Sequence, residues 1–452
     1  MTRSPRLSVR RTLRKLLPEQ VVCQAAIASG AFRRVRKIDP FAFIWTLLLG
    51  STSGRVRQLS ELRRTFERVA GVTIEESSFY DRFTPALSAM LSLLLERVLA
   101  HTLGSGRRSR GRLAGFASIM VADSTVVRLH RLLAKAFPGT RTHQAPAALK
   151  AHVLFTVTGA GKQSVQITSE RRSDRRTMTL GPWIRGKLLI VDLGYFDYRL
   201  LARIDALGGF FIIRAKKGIN PIIVDRHSTC RGRAIAVIGE RLQPVLRAAK
   251  RAVLDLQVAL DVKRRAYRGV RHADQAFCRA AGVRDDRGDY HVYLTNVPPD
   301  QLEPHDVART YALRWEVELL FRELKTHHRL AQLPSRKPHI VEALVKASLL
   351  CLAACRSLLR RAERVLGAAL ADHLPHQRWA AIFASCARDI IACVVPRHSP
   401  RGLAANLERV LLHEAVDPNR RHRLLPSVES GTHSYGPRRH HPGHSNSPLR
   451  AA

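Results

Sequence analysis

The sequence predicts an α/β protein whose core is interrupted by a β-rich insertion and flanked by helical regions at both ends. Three observations predict it. Apolar residues recur at helical period from about 17 to 103, short β-branched runs alternate with a helix between 113 and 215, and the stretch 305–329, HDVARTYALRWEVELLFRELKTHHR, returns to the helical period. Between the last two, residues 216–288 read as short antiparallel strands separated by basic turns.

Residues 1–16 carry Arg3, Arg6, Arg10, Arg11, Arg14 and Lys15 among few apolar partners, so a disordered basic arm is expected. Residues 17–112 read as a helical DNA-binding domain with its linker. Asp39-Pro40 opens FAFIWTLLLG, with proline in the first turn and Gly50 at the end, and Ser60 opens a second helix. Ser77 leads SSFYDRFTPALSAMLSLLLERVLAHTL, as two short helices or one long one. A bundle of small helices with Arg-rich turns suits DNA reading, and a helical lid or dimerisation domain fits the same pattern. GSGRRSRGR (104–112) is a flexible basic boundary.

The first part of the α/β core spans 113–215. ASIMVAD (117–123) ends in Asp123, AHVLFTVTG (151–159) is a β-branched strand, and SVQIT (164–168) leads into Arg171, Arg172, Arg175 and Arg176. KLLIVD (187–192) ends in Asp192, before Gly194 and the helix YFDYRLLARIDAL, and GFFIIRA (209–215) closes the set. In the insertion, 216–288, the strands are VLDLQVAL, AYRGV and AFCRAAGV, and Asp225 of PIIVD is assigned to a turn. YHVYLTNVP opens the second core part, 289–340. A C-terminal helical region follows over 341–416, and 417–452, rich in Arg, His, Pro, Ser and Gly, is expected to be a disordered basic tail.

Composition narrows the function. Lys and Arg number 76 against 36 Asp and Glu, a net charge of +40 with a pI near 11.4, which calls for a polyanionic partner such as nucleic acid. The seven cysteines are scattered and odd in number and show no CxxC pair, which argues against a zinc ribbon or disulfide scaffold and suits a reducing cytoplasm. Cys351 and Cys355, four apart in an apolar helical run, read as buried thiols. No run of eighteen uncharged apolar residues and no leader pattern is present, so a soluble protein that is not exported is expected.

The stretch 305–329 carries the chemistry. At about 100° per residue, Tyr311, Arg314, Glu318 and Lys325 fall within a sector of roughly 60°. Leu313, Val317, Leu320 and Leu324 form a separate apolar stripe, and Glu316 and Glu323 fall on its far flank as solvated charges. Glu318 thus joins Asp123 and Asp192 as a carboxylate beside core, and such a charge needs a partner. Three hard oxygen ligands suit two Mg²⁺ or Mn²⁺ ions about 3.5 to 4 Å apart, a clamp for phosphodiester chemistry. Strand-end aspartates also serve as turn and cap residues, and Arg314 and Glu318 are an i,i+4 pair that can simply form a salt bridge.

The spacing Tyr311, Arg314, Glu318, Lys325 resembles the Tyr-Arg-Glu-Lys signature of the DDE transposases of insertion-sequence family four. ADST at Asp123, VDLGYFD at Asp192 and LTNVP before the helix resemble the text around that family's acidic motifs. The resemblance implies an RNase H-like core and a bacterial insertion-sequence transposase that binds terminal inverted repeats of double-stranded DNA. Two Mg²⁺ ions held by Asp123, Asp192 and Glu318 would support cleavage and strand transfer, with Tyr311, Arg314 and Lys325 contacting the DNA end and a homodimer pairing two ends. Lys150, Arg171, Arg172 and Arg175 are further candidates for phosphate contacts. Competing readings are a transposase-derived DNA-binding protein without transposition activity and a non-transposing RNase H-like nuclease.

Overall fold

The computed structural model describes residues 7–32, 37–50, 52, 58–102, 108–141, 144–159, 161–230, 233–263, 273–371, 373–396, 400, 402–418 and 424–432. Twelve strands are formed by them: β1 (Ser118–Arg128), β2 (Pro138–Arg141), β3 (Ala145–Gly159), β4 (Ser164–Ser169), β5 (Lys187–Val191), β6 (Phe210–Arg214), β7 (Ile222–Arg226), β8 (Thr229–Cys230), β9 (Arg233–Ala234), β10 (Val253–Lys263), β11 (Ala273–Arg284) and β12 (Tyr290–Thr295). Ten of these make one sheet in the order β2-β3-β1-β5-β6-β12-β11-β10-β7, with β4 also paired to β3, while β8 and β9 form a separate ribbon.

Alternation along the strands explains why this sheet is covered on both sides. Ile119 and Val121 of β1, with Leu188 and Ile190 of β5, face one apolar cluster that includes the long helices. Met120, Ala122, Leu189 and Val191 face a second cluster on the other side. In β1, Ser118–Ala122 pair in parallel with Lys187–Val191, and only the antiparallel partner β3 continues beside β1 to Arg128. A strand that outruns one neighbour leaves a notch at that point in the sheet.

The N-terminal helices are α1 (Val9–Leu16), α2 (Glu19–Ala28), α3 (Pro40–Leu49), α4 (Leu59–Ala70), α5 (Glu76–Tyr80) and α6 (Pro85–Thr102). Asp39 caps α3, its carboxylate accepting from the Ala42 amide, with Pro40 in the first turn as its sequence predicts. The stretch led by Ser77 is two helices, α5 and α6. On the far side of the first core part lie α7 (Tyr198–Ala206) and, in the insertion, α8 (Leu242–Ala248). The C-terminal half contributes α9 (Pro304–Tyr311), α10 (Trp315–Thr326), α11 (Pro338–Ala371), α12 (His376–Ser385), α13 (Ala387–Val394), α14 (Leu403–His413) and α15 (Leu424–Glu429). Pro338–Gly367 of α11 is long and apolar enough to cross a membrane, but 78% of its most apolar window is buried inside the protein, as befits a core helix. Its helical geometry breaks at Gly367, where φ is +78°.

Three expectations are corrected. The basic arm is helical from Val9: Leu7, Val9, Leu13 and Leu17 are fully buried, and Arg14 donates to the carbonyls of Val394 and Val395 at the end of α13. An apolar residue every fourth position gave α1 a face to bury despite its charge. The tail is ordered over 424–432, where the Glu429 carboxylate accepts from the Arg110 amide; residues 433–452 lie outside the described residues. Asp225 is in strand β7, not a turn. The β-rich insertion joins the core sheet, because β11 pairs with β12 over Arg279–Arg284. The predicted strand AYRGV lies outside the described residues.

One buried side chain adds to that join. Arg279 of β11 is buried, with two bonds to Asp255 of β10 at 2.6 and 2.7 Å and two to the carbonyls of Val297 (3.0 Å) and Leu302 (2.7 Å). Arg279→Lys keeps the charge but loses the planar fork, so denaturant unfolding should show a loss of about 2 kcal/mol. An unchanged midpoint would mean that the charge alone sufficed.

Candidate active site

Asp123 continues the parity of Ile119 and Val121, one residue past the point where β1 stops pairing with β5. Its carboxylate therefore emerges in the notch, on the face that carries the long helices. Asp192 follows Val191 at the adjacent strand end. It occupies the cap position of the short turn Leu193–Tyr195, yet its side chain makes no capping bond there. A strand-end aspartate that is not capping is free to face the site.

The stretch 305–329 is not one continuous α-helix. A 3₁₀ turn over Ala312–Arg314 separates α9 from α10, and Arg314 stands at the N-cap position of α10. Leu313, Val317, Leu320 and Leu324 are buried as the pattern predicts. Tyr311 ends α9 and packs on Tyr293 of β12 with ring centroids 5.1 Å apart, while Glu318 lies in the first turn of α10 and Lys325 in the last.

Arg314 gathers the carboxylates. Its Nη1 bonds to Glu318 Oε1 and lies 3.5 Å from Asp123 Oδ2, and its Nε lies 3.9 Å from Asp192 Oδ1. The side chains of Asp123, Glu318 and Asp192 are 14%, 32% and 39% exposed, so the cluster is open to solvent from one side. Tyr311 and Trp315 flank the guanidinium, with ring centroids 5.8 and 5.5 Å from its carbon.

Electrostatics follow from this crowding. Burial pushes the Asp123 carboxyl up to about 6, the Asp192 and Glu318 charges adding to the rise while the Ser124 amide and Arg314 oppose it. Burial would lower the Arg314 pKa, but Tyr311, Glu318 and Asp192 hold it above the ordinary value. Burial raises the Tyr311 phenol to about 12 and lowers Lys325. Lys325 has no acidic partner among the described residues.

The other predicted cations are less available. Lys150 Nζ pairs with Asp174 at 3.3 Å, Arg171 Nε donates to the Gly139 carbonyl at 3.0 Å, and Arg175 reaches Asp197 at 3.4 Å. Arg172 is exposed, and Arg175 remains 54% exposed.

Two groups escaped the sequence reading. Asp174 backs the site from the opposite face of the sheet, with His152 Nδ1 3.0 Å from its Oδ1. Burial opposes its ionisation, but His152, Ser124 and Lys150 hold it down to about 2. The available signal was a lone acid among four arginines in RRSDRR, opposite Lys150 and His152, which share a face by their spacing.

The second is Glu323, expected as a solvated charge and found fully buried. Its Oε2 accepts from Arg356 of α11 at 2.5 Å, and its Oε1 lies 3.3 Å from His328 Nε2. His328 Nδ1 is 3.3 Å from Cys351 Sγ, and atoms of Glu323, His328 and Cys355 lie within 4.8 Å of one another. Although these are metal-ligand types, Glu323 is already neutralised by Arg356, so the donor set is satisfied without a cation. The reason for the correction is that α10 packs against both β1 and α11, leaving its far flank covered. A cleft of about 800 Å³ between α6, the β3–β4 turn and α11 is lined by two carboxylates, Glu96 and Glu342, and does not include Asp123.

Comparison with known proteins gives the family. Residues 114–354 match the family described as "Transposase DDE domain". The transposase for insertion sequence element IS231B of Bacillus thuringiensis subsp. berliner is 21% identical over 376 residues, covering 75% of this chain and 76% of its own. The transposase for insertion sequence element IS1151 of Clostridium perfringens is 21% identical over 249 residues, covering 49% and 53%. A solved structure of piggyBac transposase in a synaptic complex with hairpin DNA superposes with a TM-score of 0.43 at 9% identity, covering 98% of this chain and 89% of its own; so distant a likeness bears no further weight.

Proposed function

The chain belongs to the transposase DDE domain family, and from that premise we propose that Asp123, Asp192 and Glu318 are the carboxylates with which it cuts and joins DNA. It is an insertion-sequence transposase. The observation that carries the site assignment is the convergence of three carboxylates, from β1, the turn after β5 and α10, on one cation, Arg314.

An all-oxygen donor set, anionic and open to solvent on one side, fits Mg²⁺ or Mn²⁺ and leaves room for substrate oxygens. Two such ions would activate the attacking oxygen and stabilise the leaving one. The residues divide the remaining work. Asp123 is held in β1 by its pairing with β3, Asp192 directly follows β5, and Glu318 lies on a helix packed on β1, so the three carboxylates keep their spacing as DNA enters. Arg314 and Lys325 supply positive charge to phosphates beside the cut, and Tyr311 offers a phenol to the same strand. Arg172 and Arg175 extend a basic track along the rim, with Arg171 bracing β2. Lys150, tied to Asp174, contributes as a support of that rim.

The strand pattern supports an RNase H-like reading of the core: an antiparallel set, β4-β3-β1, continues into the parallel β5 and β6. On this reading 113–215 and 289–340 form the catalytic core around the 216–288 insertion, 17–112 binds the terminal repeats, and 341–416 supports the catalytic helix. The enzyme acts in the bacterial cytoplasm on nucleoid DNA, as a homodimer that pairs two element ends and moves them by cut-and-paste. Purified protein, DNA carrying the two ends of its element, a supercoiled target and Mg²⁺ should give end cleavage followed by a joined product. Cleavage without joining would leave a nuclease, and binding without cleavage a repressor-like remnant.

A further inference from the structure

The same side chain that reveals the carboxylate cluster also blocks it. Arg314 cannot sit between Asp123, Asp192 and Glu318 while divalent cations share those oxygens, because like charges at such separations repel strongly in a partly buried site. Yet the three carboxylates need a countercharge whenever no ion is there.

We propose that Arg314 is an exchangeable countercation: it neutralises the three carboxylates in the resting enzyme and is driven outward when divalent ions load, which turns it toward the DNA phosphates. This rests on the metal-binding reading above. Three features of the site favour exchange over a permanent salt bridge. Arg314 Nε is buried yet has no hydrogen-bond partner, so the guanidinium is incompletely satisfied where it lies. The residue stands on the 3₁₀ turn between α9 and α10, outside the interior of either helix. The exposed face of Trp315, 53% accessible and already 5.5 Å from the guanidinium, offers a cation–π surface toward solvent. Metal loading and DNA capture are then linked, since ions release the arginine that the DNA end uses.

The test is Mn²⁺ titration of the full chain without DNA, followed by calorimetry and tryptophan emission. In the wild type Mn²⁺ should change the emission as the guanidinium shifts against the Trp315 ring. Trp315→Phe should lose that change yet bind Mn²⁺ with wild-type affinity. Arg314→Met, with Arg314→Gln as a second neutral variant, should bind Mn²⁺ about tenfold more tightly, because the competitor is gone. Melting curves establish that each variant is folded. Equal or weaker Mn²⁺ affinity in folded Arg314→Met and Arg314→Gln would overturn the exchange while leaving the metal site standing. If neither wild type nor these variants bound Mn²⁺ more strongly than Asp123→Asn, the metal reading itself would fall, and the exchange with it.

Discussion

Glu318→Gln is expected to lower metal-dependent cleavage of element-end DNA by roughly 10³-fold or more while leaving end binding within about threefold. Glutamine preserves the shape of the side chain and a carbonyl oxygen that can still accept from Arg314, so α10 should keep its place. What disappears is the negative charge from the third corner of the cluster. Nicking of labelled end DNA in Mg²⁺, with band-shift binding of the same fragment, separates the two quantities. Asp192→Asn should behave alike, and the double variant should be scarcely worse than either single one, because groups that act as a unit do not add. Wild-type nicking by Glu318→Gln would reduce the Arg314–Glu318 contact to an ordinary i,i+4 salt bridge.

Much of this site could be read from the chain because it is built from local rules. Alternation places Asp123 on the side of Ile119 and Val121, and the short apolar run before Asp192 marks a buried strand that ends at the sheet edge. Helical spacing aligns Arg314 with Glu318, and the 3₁₀ turn disturbs that alignment little. What could not be read depends on partners distant in sequence. Helix α1 looks like a loose basic arm until α11 and α13 supply a surface for Leu7, Val9 and Leu13. The join between insertion and core is hidden, because nothing local in β11 announces that Ala280–Val283 will pair with His291–Leu294 of the core. Asp174 gains meaning only when β3 brings Lys150 and His152 to it.

Glu323 is the sharpest case, and Glu323→Ala should destabilise the protein by about 3 to 5 kcal/mol, measured by denaturant unfolding at neutral pH. Removing the carboxylate leaves Arg356, only 15% exposed, without its 2.5 Å partner and leaves His328, fully buried, without the acceptor at its Nε2. Burial opposes the Glu323 charge, but Arg356 and His328 hold its pKa below the ordinary 4.5. A carboxyl whose folded pKa is depressed stabilises the fold fully above the unfolded value and progressively less as pH falls through the folded one. The gap between wild type and Glu323→Ala should therefore narrow as pH falls below about 4.5. Glu323→Leu combined with Arg356→Met should recover much of the loss, because the cost comes from an orphaned charge more than from a missing attraction. Since α10 carries Glu318 five residues before Glu323, the single variant should also cut strands more slowly than the wild type at a temperature where both remain folded. A stable, fully active Glu323→Ala would mean that the packing of Leu320 and Leu324 alone fixes the helix, and that the buried network beneath the site is dispensable.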